Sequence, residues 1–421
     1  MKSNKRFFVV LFCLFSIPCL AQNREYWEAE LNTGVASLPL TLEIIHAEDT
    51  TGILGSPAQT EERFNCSKIR WRNDSLLFSV RNLGVVFRGA LSESRDSVNG
   101  MFNQGLLRMP LTFVKVNRLQ QVNRPQTPDS NVSYIQEEVS FRTPGVNYTF
   151  NGTLTYPDKS KRYPVCIMIT GSGLQNRDEE IFRHKPFAVI ADHLAKKGIA
   201  VLRYDDRGYG SKDTALFNAT TLDYAQDVMS AVEFLKTHPN IDTAMIGLIG
   251  HSEGGLIAPI VASERKDIAF IVLLAGPGVK GMDVLIEQNK AILSEMNYSQ
   301  DDIEKQLEML KNRSHESMNT PWMSCFLDLD PQPYLSRLTI PVLALNGTKD
   351  LQVLSKQNLP AIEKALKKAG NKKYSVMELE GLNHLFQQCD TGLVDEYYTI
   401  EQTISPKVLD IITQFILEQT N

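Results

Sequence analysis

The sequence predicts an α/β protein: a mostly parallel sheet with helices on both faces, preceded by a small all-β domain. Three observations predict it. From about residue 132 onward, short apolar runs alternate with longer helical patterns. Before residue 119, apolar residues recur at every second position between turn signals. At Met245 to Ile249 an apolar strand runs into Gly250-His251-Ser252-Glu253-Gly254 and then a helix-forming run from Gly255 to Ser263. The 421 residues are enough for two domains and a large core.

The first 21 residues read as an export signal rather than as part of the fold. Lys2, Lys5 and Arg6 precede an apolar stretch from Phe7 to Leu20, too short to span a bilayer comfortably. Cys19-Leu20-Ala21 ends it on small residues, so cleavage after Ala21 is expected. A lipid anchor on Cys19 and an uncleaved anchor are the alternatives, and Ile17-Pro18 is a poor context for the first. All three place the body outside the cytoplasm, in the periplasm or beyond the cell.

Residues 22–118 form the expected β domain. Leu40, Leu42 and Ile44 alternate with polar neighbours, as do Leu76, Phe78 and Val80, and Met109, Leu111 and Phe113. Asn73-Asp74, Asn82, Asn99-Gly100 and Gly105 mark turns. The pattern predicts an antiparallel meander closed as a small barrel or packed as a sandwich. It is too short for a propeller. Residues 119–131 are polar and carry Pro125 and Pro128, a linker composition.

The catalytic-sized domain is expected over 132–421. Strands are predicted at Glu137 to Arg142, Tyr148 to Tyr156, Val165 to Ile169, Ala200 to Tyr204, Ala269 to Leu274, Val342 to Leu345 and Tyr374 to Leu379. Helices are predicted at Lys185 to Lys196, Leu222 to Lys236, Ser355 to Ala369 and Pro406 to Glu418. Residues 280–336 interrupt the alternation with a helix at Asp301 to Lys311 and with Met318, Trp322, Met323 and Phe326. An insertion there lies over the strand C-termini, where open α/β sheets bind ligands, and reads as a cap. Its large side chains either line a pocket or pack the cap onto the body.

The chemistry is carried by G-x-S-x-G. A serine on a strained strand-to-helix turn holds its hydroxyl out of the sheet. A hydroxyl is a weak nucleophile until a base takes its proton, and the base needs a group to orient it. In the chain order Ser, acid, His, the acid belongs at a late strand end and the histidine after the last strand. Asp350 leaves the strand at 341–345, and His384 follows the strand at 374–379. Of the seven histidines, His384 alone sits in that last loop. The duller readings are a turn serine, an Asx turn or helix cap at Asp350, and a surface-loop histidine. Thr170-Gly171-Ser172-Gly173 follows an earlier strand. One oxyanion donor is expected from Ser172 or Gly173, the other from the N–H of Glu253. The Glu253 carboxylate either has no part in the site or tunes it electrostatically.

Other tempting residues read as structural. His251 packs beneath the turn, Arg207 bonds loop carbonyls, and Asp206 braces the turn before Gly208. The acidic run Asp178-Glu179-Glu180 starts a helix or faces solvent, having no histidines at ligand spacing. Cys66, Cys166, Cys325 and Cys389 match no zinc pattern. Cys166 reads as a core thiol, and one disulfide elsewhere stays open. No metal or organic cofactor is implied. The formal charge of -5 argues against nucleic acid as a partner.

Four stretches together resemble the α/β-hydrolases of the bacterial carboxylesterase kind, close to the EstD type, which also carry an N-terminal β domain. They are Gly171 to Glu179, Arg203 to Ser211, the elbow, and Gly381 to Gln387. The family often has Pro and Asp where this chain has Leu174 and Asn176. The resemblance covers about 132–421 and implies a serine hydrolase of carboxylic esters, acting on a small-molecule substrate without an integral membrane domain. Ser252 is then the nucleophile, Asp350 the orienting acid and His384 the base, and short acyl groups are expected. A prolyl-oligopeptidase-like peptidase and a non-catalytic hydrolase-fold binder are the alternatives. The β domain has three open roles: substrate binding, shielding of the site, and formation of a homodimer.

Overall fold

The computed structural model describes residues 23–420 apart from 33–36, 48, 61, 73, 121 and 314–319. The export signal, the Cys19 alternative, the turn residue Asn73 and Met318 lie outside the described residues. The chain divides into two compact units, Met1–Gln120 and Gln121–Asn421. No helix among the described residues is long and apolar enough to cross a membrane.

The first unit is a single antiparallel sheet. Its strands are β1 (Asn23–Asn32), β2 (Ser37–His46), β3 (Thr51–Gly55), β4 (Arg63–Asn65), β5 (Lys68–Arg72), β6 (Ser75–Val80), β7 (Val85–Leu91), β8 (Ser97–Gln104) and β9 (Leu107–Val116). They run in the order β4-β3-β2-β1-β9-β8-β7-β6-β5, with Tyr26 opposite Val116 where β1 joins β9. Alternate residues bury on one face. Leu42 and Ile44 of β2 share a core with Phe78 of β6, Phe87 of β7 and Phe113 of β9. The three phenylalanine rings pack 5.2–5.9 Å apart. Strands so far apart in the sheet share one core only if the sheet curls. The unit is therefore a half-barrel rather than a sandwich.

The second unit carries β10 (Ile135–Phe141), β11 (Phe150–Tyr156), β12 (Tyr163–Ile169), β13 (Ala200–Tyr204), β14 (Ile241–His251), β15 (Phe270–Leu274), β16 (Val342–Gly347) and β17 (Tyr374–Leu379). The order is β10-β11-β13-β12-β14-β15-β16-β17. Pairing is antiparallel through β10, β11 and β13 and parallel from β13 onward. The parallel strands β12 and β15 are apolar almost throughout and buried, because helices cover both faces. One core joins the sheet to α2 (Thr221–Lys236), α3 (Glu253–Glu264) and α8 (Ser355–Lys368). The other joins it to α1 (Pro186–Ala195) and α9 (Pro406–Thr420), and takes in Cys166. This is the α/β-hydrolase architecture expected from the sequence.

Between β15 and β16 lie α4 (Gly281–Glu295), α5 (Gln300–Arg313), α6 (Pro321–Asp328) and α7 (Gln332–Leu335), the expected cap. Helix α2 begins on a capping box. Thr220 Oγ1 accepts from the Asp223 N–H, and the Asp223 carboxylate accepts from the Thr220 N–H. Thr220→Ala is expected to cost about 1 kcal/mol in urea unfolding; an unchanged midpoint would show that the cap contributes nothing.

Within the polar run at 119–131, next to the unit boundary at Gln120, two side chains are anchored. Arg124 donates to the carbonyls of Phe182, Tyr398 and Ile400, and Gln126 bonds the backbone of Thr403 and Ile404. Linker composition also suits a segment whose polar side chains satisfy loop carbonyls. Cys66, Cys166, Cys325 and Cys389, the disulfide among which the sequence left open, are all free thiols.

Candidate active site

The elbow geometry follows from its residues. Ser252 sits at φ 50, ψ -117, between the end of β14 and the start of α3. A non-glycine residue there is strained, and such strain persists only where the surroundings impose it. They do: the Ser252 N–H donates to the Leu274 carbonyl at 2.9 Å, and the Gly255 N–H to the Ser252 carbonyl at 2.8 Å. A Cβ on Gly250 would strike the Gly254 carbonyl, and one on Gly254 would strike the Ile169 carbonyl. Both glycines are thus required by close backbone approach.

Asp350 and His384 come together directly. His384 Nδ1 lies 2.8 Å from Asp350 Oδ2, and both side chains are buried. Asp350 accepts only, so Nδ1 carries the proton and Nε2 keeps a lone pair when the ring is neutral. The other oxygen, Oδ1, accepts from the N–H groups of Gln352 and Val353. Asp350 is both a turn-forming Asx residue and the partner of His384. The loop that carries His384 is braced by its own motif. Asn383 Oδ1 accepts from the Leu385 and Gln387 N–H groups, and Asn383 Nδ2 donates to Gln387 Oε1. Gln387 in turn contacts His184, whose pKa burial lowers to about 4, so that it stays neutral.

Ser252 connects to this pair through its neighbour. The His251 and His384 rings lie 4.8 Å apart. His251 Nε2 is 3.0 Å from the His384 carbonyl oxygen, and Nδ1 is 3.0 Å from Glu179 Oε1. Both partners accept, so only an imidazolium satisfies both contacts. Burial alone would lower the His251 pKa, but the Glu179 charge and hydrogen bond and the His384 carbonyl outweigh it and raise it. Glu179 also accepts from the Gly171 N–H at 2.6 Å. Glu179 therefore neither starts a helix nor faces solvent. It is buried at φ 51 and links the 170–173 loop to the elbow, and from there to the His384 loop. The run of three acids gave no sign of this, because nothing local separates a solvated acid from a buried one.

The 170–173 loop lies against Ser252. A Cβ on Gly171 would sit 3.2 Å from the Ser252 Cβ. With the Gly171 N–H committed to Glu179, the next N–H groups along are those of Ser172 and Gly173. The Ser172 hydroxyl donates to Glu253 Oε2 at 2.8 Å. Asn176, at a departure from the family pattern, caps its own turn by accepting from the Asp178 and Glu180 N–H groups. An aspartate would make the same bonds. Leu174, at the other departure, is exposed.

Asp206 accepts from Thr170 Oγ1 and from the Gln175 N–H, so it braces this loop. Arg207 bonds the Asp227 carboxylate and the Asp223 carbonyl, both on α2, rather than loop carbonyls. Burial pushes the Asp206 pKa up to about 8, against the lowering effect of its two hydrogen bonds. A carboxyl raised in the folded state adds stability that is complete below the ordinary aspartate range and is lost as pH rises through about 8. Asp206→Asn is expected to flatten that decline in urea midpoints between about pH 4 and 8; a decline equal to that of the parent would assign it to another group. Among the described residues no cluster of three or more His, Cys, Asp or Glu could hold a metal ion.

Comparison with known proteins finds the following similarities. The model for the BAAT / acyl-CoA thioester hydrolase C-terminal domain matches residues 221–388. Esterase EstD of Thermotoga maritima is 27% identical over 277 residues, covering 63% of this chain and 65% of the relative. Dipeptidyl-peptidase 5 of Porphyromonas gingivalis is 25% identical over 220 residues, covering 49% of this chain and 28% of the relative. The match thus spans less than two thirds of the length of either curated relative. Est1E from Butyrivibrio proteoclasticus superimposes with a TM-score of 0.45 at 17% identity, covering 67% of this chain and 98% of that one. In strand order the second unit has the α/β-hydrolase architecture, and in sequence the chain is similar to Esterase EstD.

Proposed function

We propose that the protein cleaves carboxylic esters with a small acyl group through an acyl-enzyme formed on Ser252. The observation that carries this reading is the buried His384–Asp350 hydrogen bond, set beside an elbow whose serine is held in a strained conformation. Ser252 attacks the ester carbonyl, and His384 Nε2 takes the serine proton. His384 then gives that proton to the leaving alcohol, and Asp350 holds the imidazolium that forms in between. The N–H groups of Glu253 and of Ser172 or Gly173 receive the developing oxyanion. Water then attacks the acyl-enzyme with His384 as base, releasing the acid and free Ser252.

A fluorophosphonate tests the reading by phosphonylating the activated serine. One adduct per chain, mapped to Ser252, is expected, with turnover of short acyl esters ahead of aminoacyl amides. The amides are included because one relative is a peptidase by name. A folded chain that takes no adduct favours the non-catalytic binder. Amide turnover ahead of ester turnover favours the peptidase. We also propose that the chain is exported. A protein recovered intact from the cytoplasm with residues 1–21 uncleaved would overturn that.

A further inference from the structure

Glu253 follows Ser252 at the first position of α3, and its side chain is a buried carboxyl. Among the described residues it enters no ion pair, and the residue is 2% exposed. Three uncharged donors hold it instead. Thr221 Oγ1, at the start of α2, donates to Oε1 at 2.7 Å. Ser172 Oγ, in the loop after β12, donates to Oε2 at 2.8 Å. Trp322 Nε1, from cap helix α6, reaches both oxygens at 3.0 and 3.1 Å. The elbow, α2, the oxyanion loop and the cap thus meet at one side chain. Burying a carboxyl without a counter-charge is costly, so its donors indicate what it holds in place. The indole of Trp322 also stacks on Phe326, with ring centroids 5.8 Å apart, so the donor sits on an apolar two-ring face of the cap.

We propose that Glu253 is a positioning residue that couples the seating of the cap to the oxyanion hole. Both expected oxyanion donors are referred to it: one is its own N–H, and the other lies in the loop its carboxylate grips through Ser172. Trp322 grips the same carboxylate from the cap. An acyl group that settles the cap therefore settles the 172–173 N–H groups at the distance the oxyanion needs. Glu253 gives and takes no proton in the reaction. The proposal rests on the ester-hydrolase reading above. Its expected size follows from oxyanion-hole energetics: loss or misplacement of one donor lowers kcat by roughly 10²-fold.

The test compares Glu253→Gln, Glu253→Met, Trp322→Phe and Ser172→Ala in the full chain. The readouts are kcat and KM for p-nitrophenyl acetate and butyrate, with fluorophosphonate titration counting competent Ser252. Glu253→Met, which strands all three donors, is expected to lower kcat roughly 10²-fold with KM little changed. Glu253→Gln is expected to recover most of it. Its carboxamide oxygen still accepts from the indole, and its NH2 donates to the Ser172 hydroxyl, which can also accept. Trp322→Phe is expected to lower kcat roughly tenfold alone and to add nothing in the Glu253→Met background.

Should Glu253→Met not fold, the Ser172→Ala and Trp322→Phe cycle carries the same test, with a less than additive loss expected. Full additivity in either cycle, a Trp322→Phe effect confined to KM, or a Gln variant no better than Met overturns the proposal. Each of these outcomes requires a parent chain that labels and turns over ester. A parent that does neither removes the hydrolase reading, and this proposal with it.

Discussion

Ser252→Ala is expected to reduce turnover of a short-chain chromogenic ester by roughly 10⁴-fold or more while the protein stays folded. The loss is large because, in the proposed mechanism, attack, acyl transfer and deacylation all pass through one hydroxyl. The fold should survive because that hydroxyl contributes little to it. Ser252 makes no side-chain capping bond at the start of α3, and alanine keeps the Cβ that the φ 50 backbone already accommodates. The urea midpoint should therefore move by no more than about 0.5 kcal/mol. Full activity in the alanine variant would sink the assignment. Equal loss of activity and of stability would mean that the serine had been a structural turn residue.

The largest stability effect is expected at Glu179, a residue that touches no substrate in the proposed mechanism. Glu179→Ala leaves the His251 imidazolium buried, with the His384 carbonyl on one side and no anion on the other. Breaking a buried pair in this way costs about 3–5 kcal/mol. The Gly171 N–H loses its acceptor as well. Activity should fall with stability, since the same bonds hold the loop beside Ser252 and the backbone of His384. The pH dependence provides a second check. With its folded pKa raised, His251 adds stability that is complete below the ordinary histidine range and is lost as pH rises through the raised value. The Glu179→Ala variant should lack most of that loss. A urea midpoint within about 0.5 kcal/mol of the parent, or an unchanged alkaline limb, would contradict the network.

Much of the frame was legible because local pattern and global fold agree here. The strands at Ala200–Tyr204 and Tyr374–Leu379 match their expected bounds: the first is an apolar run buried on both faces, the second an edge strand bounded by polar turns. Helix α3 is a different case. It is buried nearly all round, so it shows no amphipathic stripe, and only the G-x-S-x-G turn before it located it. Asp350 and His384 were found by chain order alone, and the structure sets them 2.8 Å apart. Alternation over 22–118 told which face is apolar but not what covers it, so barrel and sandwich stayed equal until strand order was known. Arg124 shows a similar limit: a polar run reads as linker whether or not its side chains find carbonyls.

By itself, then, the sequence determined the α/β-hydrolase frame, the strained serine and the order in which an acid and a histidine follow it. Those depend on local periodicity, on glycines at close backbone approach and on strand order, all written along the chain. Only the tertiary structure decided that Glu179 is buried against His251, and that Glu253, Ser172, Thr221 and Trp322 meet. Their partners lie 32 to 81 residues apart. Whether a carboxyl is solvated, paired with a cation or gripped by neutral donors depends on what the fold brings to it, and no local pattern encodes that.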